Sequence, residues 1–449
     1  MLDAAMTELR AGGAEGDAFM EERRTLDLSI RDGQITDLAR AEVRGLAVRA
    51  MKNGRLGFTH TTALTLEGAA AAAKRATALS DAASPREDLL LANPATASAQ
   101  NGWDEATDLG LYDPDLEVMD IEQKAEWARA AETAARAVDP RIRRTDSANY
   151  QEQLSRRWIV NTRGLFRYYR KSNLGGGVGI VLEDNGEMQP GGRAVQVNRW
   201  RDLPTPSTLG REAGERAVQM FGGRPVPSGR YPVIWHPDAG FALLLYVTTA
   251  LNGDALSRKQ SWLANRDTPR LGSDLVTIRD EPRRSDAPAS APFDGEGTDT
   301  VNSVLVDNGM LRGRLLDLAS GMRLGATSTG HSTRGGYETL PGIGPSNLFL
   351  QPGNKTPEQL MYGVEKGLWV WKLTGWWIGM NASSSQFSSA AAGMWIENGK
   401  PTRPVARVTI AGALDEILGA VDGVGNDFSW EGAVRTPSFR VREMAIAGE

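Results

Sequence analysis

The sequence predicts an α+β chain. N-terminal blocks of helix, antiparallel meander and helix are followed by a β-rich, barrel-like C-terminal domain around a buried helix. Three observations lead there. The order helix, meander, helix occurs twice before residue 225. The second half carries many short strand-like runs and few helical ones. Residues 236–254, HPDAGFALLLYVTTALNGD, form the most apolar stretch and are apolar on every face, the mark of a helix buried in a core.

Residues 1–12 read as a helix, because Leu2, Ala5, Met6 and Leu9 recur at helical spacing. Leu26, Leu28 and Ile30 then alternate with polar residues, as in a half-buried strand. Arg31-Asp32-Gly33-Gln34 and Lys52-Asn53-Gly54-Arg55 are hairpin turns. Thr65 caps an alanine-rich helix running to about residue 79. Residues 81–119 are rich in Pro, Asp, Asn and Ser and read as a connector crossing a surface. A helix is expected over 121–138, stopped before Pro140. Strand-like runs follow at 157–160, 165–169, 178–182 and 194–197, with turns at Asn161-Thr162-Arg163-Gly164 and Asp184-Asn185-Gly186. Residues 208–220 are again helical. The N-terminal α+β domain therefore spans 1–224, with sub-blocks about 1–83 and 119–222. The repeated order suits an internal duplication or an ordinary alternating α+β domain.

Pro225-Val226-Pro227-Ser228-Gly229 marks the boundary to a domain spanning 225–449. A strand at 231–235 feeds the apolar helix. Pro237 suits its first turn, and Asn252-Gly253 suits a left-handed stop. Residues 266–299 read as a long loop or lid. Strands are expected at 301–306, 311–316, 368–373, 391–396, 405–410 and 438–447, with turns at Asp307-Asn308-Gly309 and Glu397-Asn398-Gly399-Lys400. Short helices are expected at 357–366, capped by Thr356, and at 412–421.

Composition narrows the chemistry. The net charge of −5 over 449 residues argues against a general binder of nucleic acid or anionic membrane. With no cysteine, disulfides, thiolate zinc sites and a cysteine nucleophile are excluded. The first residues lack a signal peptide's basic and apolar segments, and no stretch is long enough for a transmembrane helix, so a soluble cytoplasmic protein is expected. The three histidines, His60, His236 and His331, stand far apart, and no HExxH or HExxxH exists. No P-loop is present; Gly175-Gly176-Gly177 lies between two strands and precedes no helix. His331 and Arg334 sit in a loop of glycines and hydroxyls, suited to substrate contact or to a hydrogen-bonded loop. Ser384, Ser385 and Gln386 lie in a serine-rich run that reads as the lining of a groove, an edge strand for peptide addition, or a solvated edge. Asp294 and Glu296 stand beside glycines, suited to a turn that satisfies backbone amides or to metal or base work. Trp371, Trp376 and Trp377 fit a core or a subunit interface.

Several motifs coincide in order along nearly the whole chain: GAEGDAF, IRDGQI, GLAVRAMKNGRLGFTHT, GRYPVIWHPDAG, LNGDALSRKQSWL, PFDGEGTDT, LVDNGMLRG, STGHSTRGG, NLFLQPGNKTPEQL, GMWIENGKPTRPV and RTPSFRVREMAIAG. On them the chain resembles the TldD/PmbA family. The resemblance implies an α+β N-terminal part, a barrel-like C-terminal part, and a cytoplasmic heterodimeric metallopeptidase that cuts unfolded or leader peptides. One subunit type, TldD, carries HExxxH on a helix and a cysteine ligand near the C-terminus; the TldE (PmbA) type lacks the motif.

Laid on the family's HExxxHxxEGD pattern, Gly253 and Asp254 match its end and Asn252 replaces the acid before it. The two histidines and the glutamate then fall on Leu244, Thr249 and Leu245, none of which binds zinc or acts as a base as His and Glu would. The resemblance thus implies a TldE (PmbA)-type, catalytically inactive subunit. No cofactor is expected on this chain, and zinc is expected in a TldD-like, HExxxH-bearing partner. The implied contribution is to the peptide cleft and to partner stability, with no nucleic acid and no membrane involved. His331, Arg334, Ser384, Ser385, Gln386 and the glycine-rich segments are the candidates for contact with the peptide. Two other readings stand beside it: a non-enzymatic interaction or modulator protein, and a metal-independent hydrolase using His331 with a nearby Ser or Asp.

Overall fold

The computed structural model describes residues 1–94, 109–264, 266, 268–285 and 287–449. The part of the 81–119 connector at 95–108 lies outside the described residues. The N-terminal half runs α1 (Leu2–Ala11), β1 (Glu15–Arg31), β2 (Gln34–Lys52), β3 (Arg55–Thr61) and α2 (Leu66–Ala82). After the connector come α3 (Asp115–Val118), α4 (Ile121–Arg136), β4 (Ile142–Asn161), β5 (Phe166–Asp184), β6 (Glu187–Val197) and α5 (Pro206–Met220). All six strands join one antiparallel sheet in the order β3-β2-β1-β4-β5-β6. The two meanders meet along β1 and β4, from Asp17 opposite Asn161 to Ile30 opposite Ala148.

The chain continues through β7 (Gly229–Trp235), α6 (Pro237–Leu251), α7 (Gly253–Ser257), β8 (Ile278–Asp280), β9 (Ser303–Asp307), β10 (Met310–Leu311), α8 (Leu318–Arg323), β11 (Ser332–Thr333) and β12 (Gly342–Ile343). It ends with β13 (Leu348–Leu350), α9 (Pro357–Met361), β14 (Lys366–Thr374), β15 (Gln386–Glu397), β16 (Lys400–Ala413), α10 (Leu414–Gly419), β17 (Val421–Val424), β18 (Val434–Arg435) and β19 (Phe439–Ala447). Strands β16, β15, β14, β7 and β19 pair in that order, and β16 also pairs with β19. The ring therefore closes into a five-stranded barrel, which leaves none of the five with an open edge along its whole length. A second sheet, β10-β9-β8-β13-β18, faces it.

Turn chemistry sets the hairpins. Asp32-Gly33, Asn53-Gly54, Asn185-Gly186, Asn308-Gly309 and Asn398-Gly399 all have both residues at positive φ. Such turns match the twist of the flanking strands, and Asn, Asp and Gly reach that region at least cost. The helix starts are capped as expected at Thr65 and Thr356, whose side chains accept from Gly68 N and Gln359 N.

Helix α6 packs in the main C-terminal core between the barrel and the second sheet. Leu243, Leu244, Val247 and Leu251 share this core with Val233, Leu368, Phe439 and Ile278. Trp235, fully buried, stacks on Phe439 and meets Phe387 edge-on.

Several sequence expectations change. The helix at 357–366 is only Pro357–Met361, because Tyr362 leaves the helical region and Gly363 turns at positive φ, and the one at 412–421 is only Leu414–Gly419, because β16 runs to Ala413 and β17 starts at Val421. The stretch 266–299 is not a lid. It carries β8 and wedges between the two halves, where Asn198 Nδ2 donates to Ala287 O at 2.9 Å and Lys171 Nζ to Ser290 O at 2.8 Å. The serine-rich run keeps an open edge: Gln386–Ser389 of β15 pair with β16, while β14 pairs with β15 only from Ala390 onward. Among the described residues no helix is long and apolar enough to cross a membrane.

Candidate functional site

Helix α6 begins at His236, whose Nδ1 accepts the Asp238 backbone N–H at 3.2 Å. Pro237 and Asp238 fill its first turn. Its stop differs from expectation. Asn252 is extended, with φ −63° and ψ 121°, and its side chain caps α7 by accepting from Asp254 N at 2.9 Å and Ala255 N at 3.3 Å. One residue thus ends one helix and starts the next.

The three positions of interest lie on the second half of α6. Leu244 is buried, while Leu245 and Thr249 are half-buried. The Thr249 hydroxyl donates to Tyr246 O at 2.8 Å, within the helix itself. Two aliphatic side chains and an engaged hydroxyl offer no nitrogen and no carboxylate, so these residues do not fit a zinc ion. Among the described residues no group of three or more His, Cys, Asp or Glu could hold a metal ion.

His331 and Arg334 line a cavity of about 200 Å³ between the N-terminal sheet and the C-terminal half. His331 is buried, with Nε2 3.1 Å from Asp280 Oδ2 and Nδ1 2.7 Å from Thr329 Oγ1. Asp280 also accepts from Ser346 N at 2.8 Å, and Thr329 Oγ1 accepts from Leu316 N at 2.8 Å. The imidazole therefore ties three segments together, and the hydroxyl beside it is occupied by backbone. Arg334 is buried as well. It donates to Gly295 O at 2.6 Å, lies 3.4 Å from Asp17 and sits over the Phe19 ring. Asp17 also pairs with Arg49, which reaches Glu296 at 3.2 Å. Asp294 accepts the backbone N–H groups of Glu296, Thr298 and Ser332, as a turn that satisfies amides would. Burial and the neighbouring Glu296 push its carboxyl up to about 7.

Lys171 lines the same cavity. Burial, with the nearby Arg157 charge, lowers its ammonium from 10.5 to about 7. The unfolded chain then binds more protons between those values, so this group makes stability rise as pH goes from about 7 to 10.5. Urea titrations at several pH values are expected to show that rise in the wild type and its loss in Lys171→Met.

Ser384, Ser385 and Gln386 do not line this cavity. Ser384 Oγ accepts from Gln386 N at 3.1 Å, and Ser385 O accepts from Leu414 N at 2.7 Å. The loop before them reaches α6 instead, where Tyr246 OH donates to Trp376 O at 2.6 Å and Trp376 meets Phe241 edge-on.

A larger cavity, about 560 Å³, opens at the first turns of α6, between β5–β6 and the β14 side of the barrel. His236, Asp238, Phe241, Trp371 and Trp376 line it. Sequence reasoning missed it as a site. The His-Pro-Asp helix start was a visible signal, but the arginines that meet Asp238 come from β6, α5 and β18. Arg216 lies 2.6 Å, Arg435 3.4 Å and Arg193 4.0 Å from its carboxylate. Burial opposes its charge, but these cations hold Asp238 down at about 2. Burial lowers His236 from 6.5 to about 4. The unfolded chain takes up that proton first, so His236 costs stability as pH falls from about 6.5 to 4. His236→Asn keeps a capping acceptor, and acid titrations followed by circular dichroism are expected to show a shallower loss over that window.

Three family models match the chain in order. They are described as PmbA/TldA metallopeptidase domain 1 over residues 16–80, the central domain over 114–221 and the C-terminal domain over 228–448. The chain is 27% identical to "Metalloprotease PmbA" of Escherichia coli O157:H7 over 443 residues, covering 98% of this chain and 94% of that protein. It is 29% identical to "Metalloprotease PmbA homolog" of Haemophilus influenzae over 357 residues, covering 76% and 74%. A solved chain from Bacteroides thetaiotaomicron superposes with a TM-score of 0.89 at 25% identity, covering 100% of this chain and 98% of that one. TldE from Thermococcus kodakarensis shares the fold, with a TM-score of 0.82 at 20% identity over 99% of this chain and 100% of that one.

Proposed function

The chain belongs to the PmbA/TldD metallopeptidase family, and from that premise we propose that it is the TldE (PmbA)-type subunit of a heterodimeric zinc peptidase. In this reading a TldD-like partner with HExxxH supplies the zinc, and this chain supplies part of the peptide cleft and stabilises the partner. The substrate is an unfolded or leader peptide, and the setting is the cytoplasm. One feature of the sequence supports the reading: laid on the HExxxHxxEGD pattern that the resemblance implies, with Gly253-Asp254 at its end, Leu244, Leu245 and Thr249 of α6 fall where two histidines and a glutamate would stand. A zinc peptidase needs nitrogen or carboxylate ligands and a base to activate water, and these side chains are neither. The intact helix, its retained Gly253-Asp254 exit and the Leu244 packing support a scaffold that is kept although its metal chemistry is absent.

The test is reconstitution. The isolated chain is expected to hold no stoichiometric zinc and to leave an unstructured peptide uncut. Mixing it with an HExxxH-bearing relative from the same genome is expected to raise cleavage at least ~100-fold over this chain alone, the scale of one acid–base contribution. Stoichiometric zinc or cleavage in the isolated chain would overturn the reading. So would a partner whose activity is the same with and without this chain.

A further inference from the structure

The 560 Å³ cavity at the start of α6 has a size suited to a bound small group, and its walls are unlike each other. One wall is a bare pair of strands. Gly177 and Gly179 of β5 pair with Ala194 and Gly192 of β6, on the face opposite the one packed against α4 and α5. No long side chain of these four covers the sheet there, so a ligand can approach the backbone closely. The facing wall is aromatic: Phe241, Trp371 and Trp376. Trp371 is placed by a β-bulge. The β14–β15 register jumps between Val370 and Lys372, leaving Trp371 as the extra residue. Bulges re-aim side chains in this way beside functional sites.

The polar groups of the cavity are biased toward donors. His236 Nδ1 accepts from Asp238 N, so the neutral ring carries its proton on Nε2. The Trp371 indole N–H is shielded from water and has no partner. Lys372 is exposed and forms no ion pair among the described residues. The one carboxylate of the wall, Asp238, is already compensated by Arg193, Arg216 and Arg435. An apolar slot with surplus donors is complementary to an apolar group that bears an anionic acceptor.

We propose that this cavity binds the C-terminal residue of a peptide. Its apolar or aromatic side chain lies between the bare β5–β6 wall and Trp371 and Trp376, and its free carboxylate meets the donors of His236, Trp371 and Lys372. The assignment rests on the peptide-handling reading above and adds an end-specific anchor to it. Capture of a terminal carboxylate is a recurrent mode of peptide recognition.

The experiment uses the full chain without a partner. N-acetyl-Ala-Ala-Phe as free acid and as C-terminal amide would be titrated while tryptophan fluorescence and heat are recorded, with N-acetyl-Phe as a single-residue control. The acid is expected to bind at least ~10-fold more tightly than the amide, the scale of one charge-assisted hydrogen bond. It is also expected to bind more tightly than N-acetyl-Phe. Lys372→Ala is expected to weaken the acid several-fold and leave the amide unchanged.

Gly179→Val puts a branched side chain on the bare wall and narrows the slot, and the nearest atoms to an added Cβ are 3.8 Å away, an ordinary van der Waals contact. This variant is expected to melt like the wild type and to lose both ligands. Equal binding of acid and amide would overturn the proposal, as would no binding at millimolar peptide or unaltered binding in a folded Gly179→Val. Equal binding of N-acetyl-Phe and the peptide acid would assign the site to small aromatic acids and overturn the peptide assignment. Because no partner or zinc is present, failure here leaves the reconstitution result standing, and failure of reconstitution leaves this binding result standing.

Discussion

Arg49→Met is expected to cost about 3–5 kcal/mol of folding stability, read from urea unfolding at neutral pH. Arg49 on β2 is buried and pairs with Asp17 of β1. It also reaches Glu296, 3.2 Å away in the segment wedged between the two halves. Taking the guanidinium away leaves two carboxylates in a dry interior. Arg334, 3.4 Å from Asp17, is the other cation close by, and it is already engaged with Gly295 O. Burial already pushes the Glu296 carboxyl up, so losing its main compensating charge drives it further toward the protonated form. The loss should therefore shrink at low pH, where the carboxyls are neutral. Arg163→Ala is the control. Its pair with Glu15 is exposed on both sides, and the expected change is below ~1 kcal/mol. A loss below ~1 kcal/mol in Arg49→Met would show that this network is solvated in solution and does not hold the halves together.

Leu244→Ala is expected to cost about 2–5 kcal/mol by the same measurement. Leu244 is 2% exposed and belongs to the main C-terminal core with Leu243, Val247 and Leu251. Removing its branched end leaves a cavity between α6 and its surroundings. Leu245→Ala and Thr249→Ala start from half-buried side chains, and each is expected to cost less than Leu244→Ala, about 1 kcal/mol or below. The contrast separates two jobs on one helix. At Leu244 the residue type is explained by packing, whereas at Leu245 and Thr249 packing demands little. In a reconstituted complex, cleavage per folded heterodimer should be unchanged by Leu244→Ala. A fall in that normalised rate with no fall in stability would place Leu244 in the peptide cleft.

Much of the secondary structure was legible because its signals are local. Asn-Gly and Asp-Gly pairs marked the five tight turns, since only a few residue types reach positive φ cheaply. Thr65, Thr356 and the apolar run of α6 marked helix starts and a buried helix for equally local reasons. One misreading has an identifiable cause. The 266–299 stretch looked like a lid because it lacks periodicity, yet its Asp280, Ser290 and Asp294 are buried and hydrogen-bonded. Polarity reports surface only when no partner satisfies the group, and the partners here are distant in sequence.

The residues by themselves determined the order of helices and meanders, the tight turns, the all-apolar helix and the kinds of ligand atom available at Leu244, Leu245 and Thr249. They also determined that no cysteine can serve as a ligand. Only the tertiary structure decided that β16 meets β19 and closes the barrel, and that Asp280 takes His331 out of solution. It also decided that Arg193, Arg216 and Arg435 converge on Asp238 beside an aromatic wall. Turn and helix preferences arise within a few residues of backbone sterics and capping. Closure, burial of charge and the shape of a cavity arise from contacts such as Asp238 with Arg435, 197 positions apart, whose energy exists only once the chain has folded.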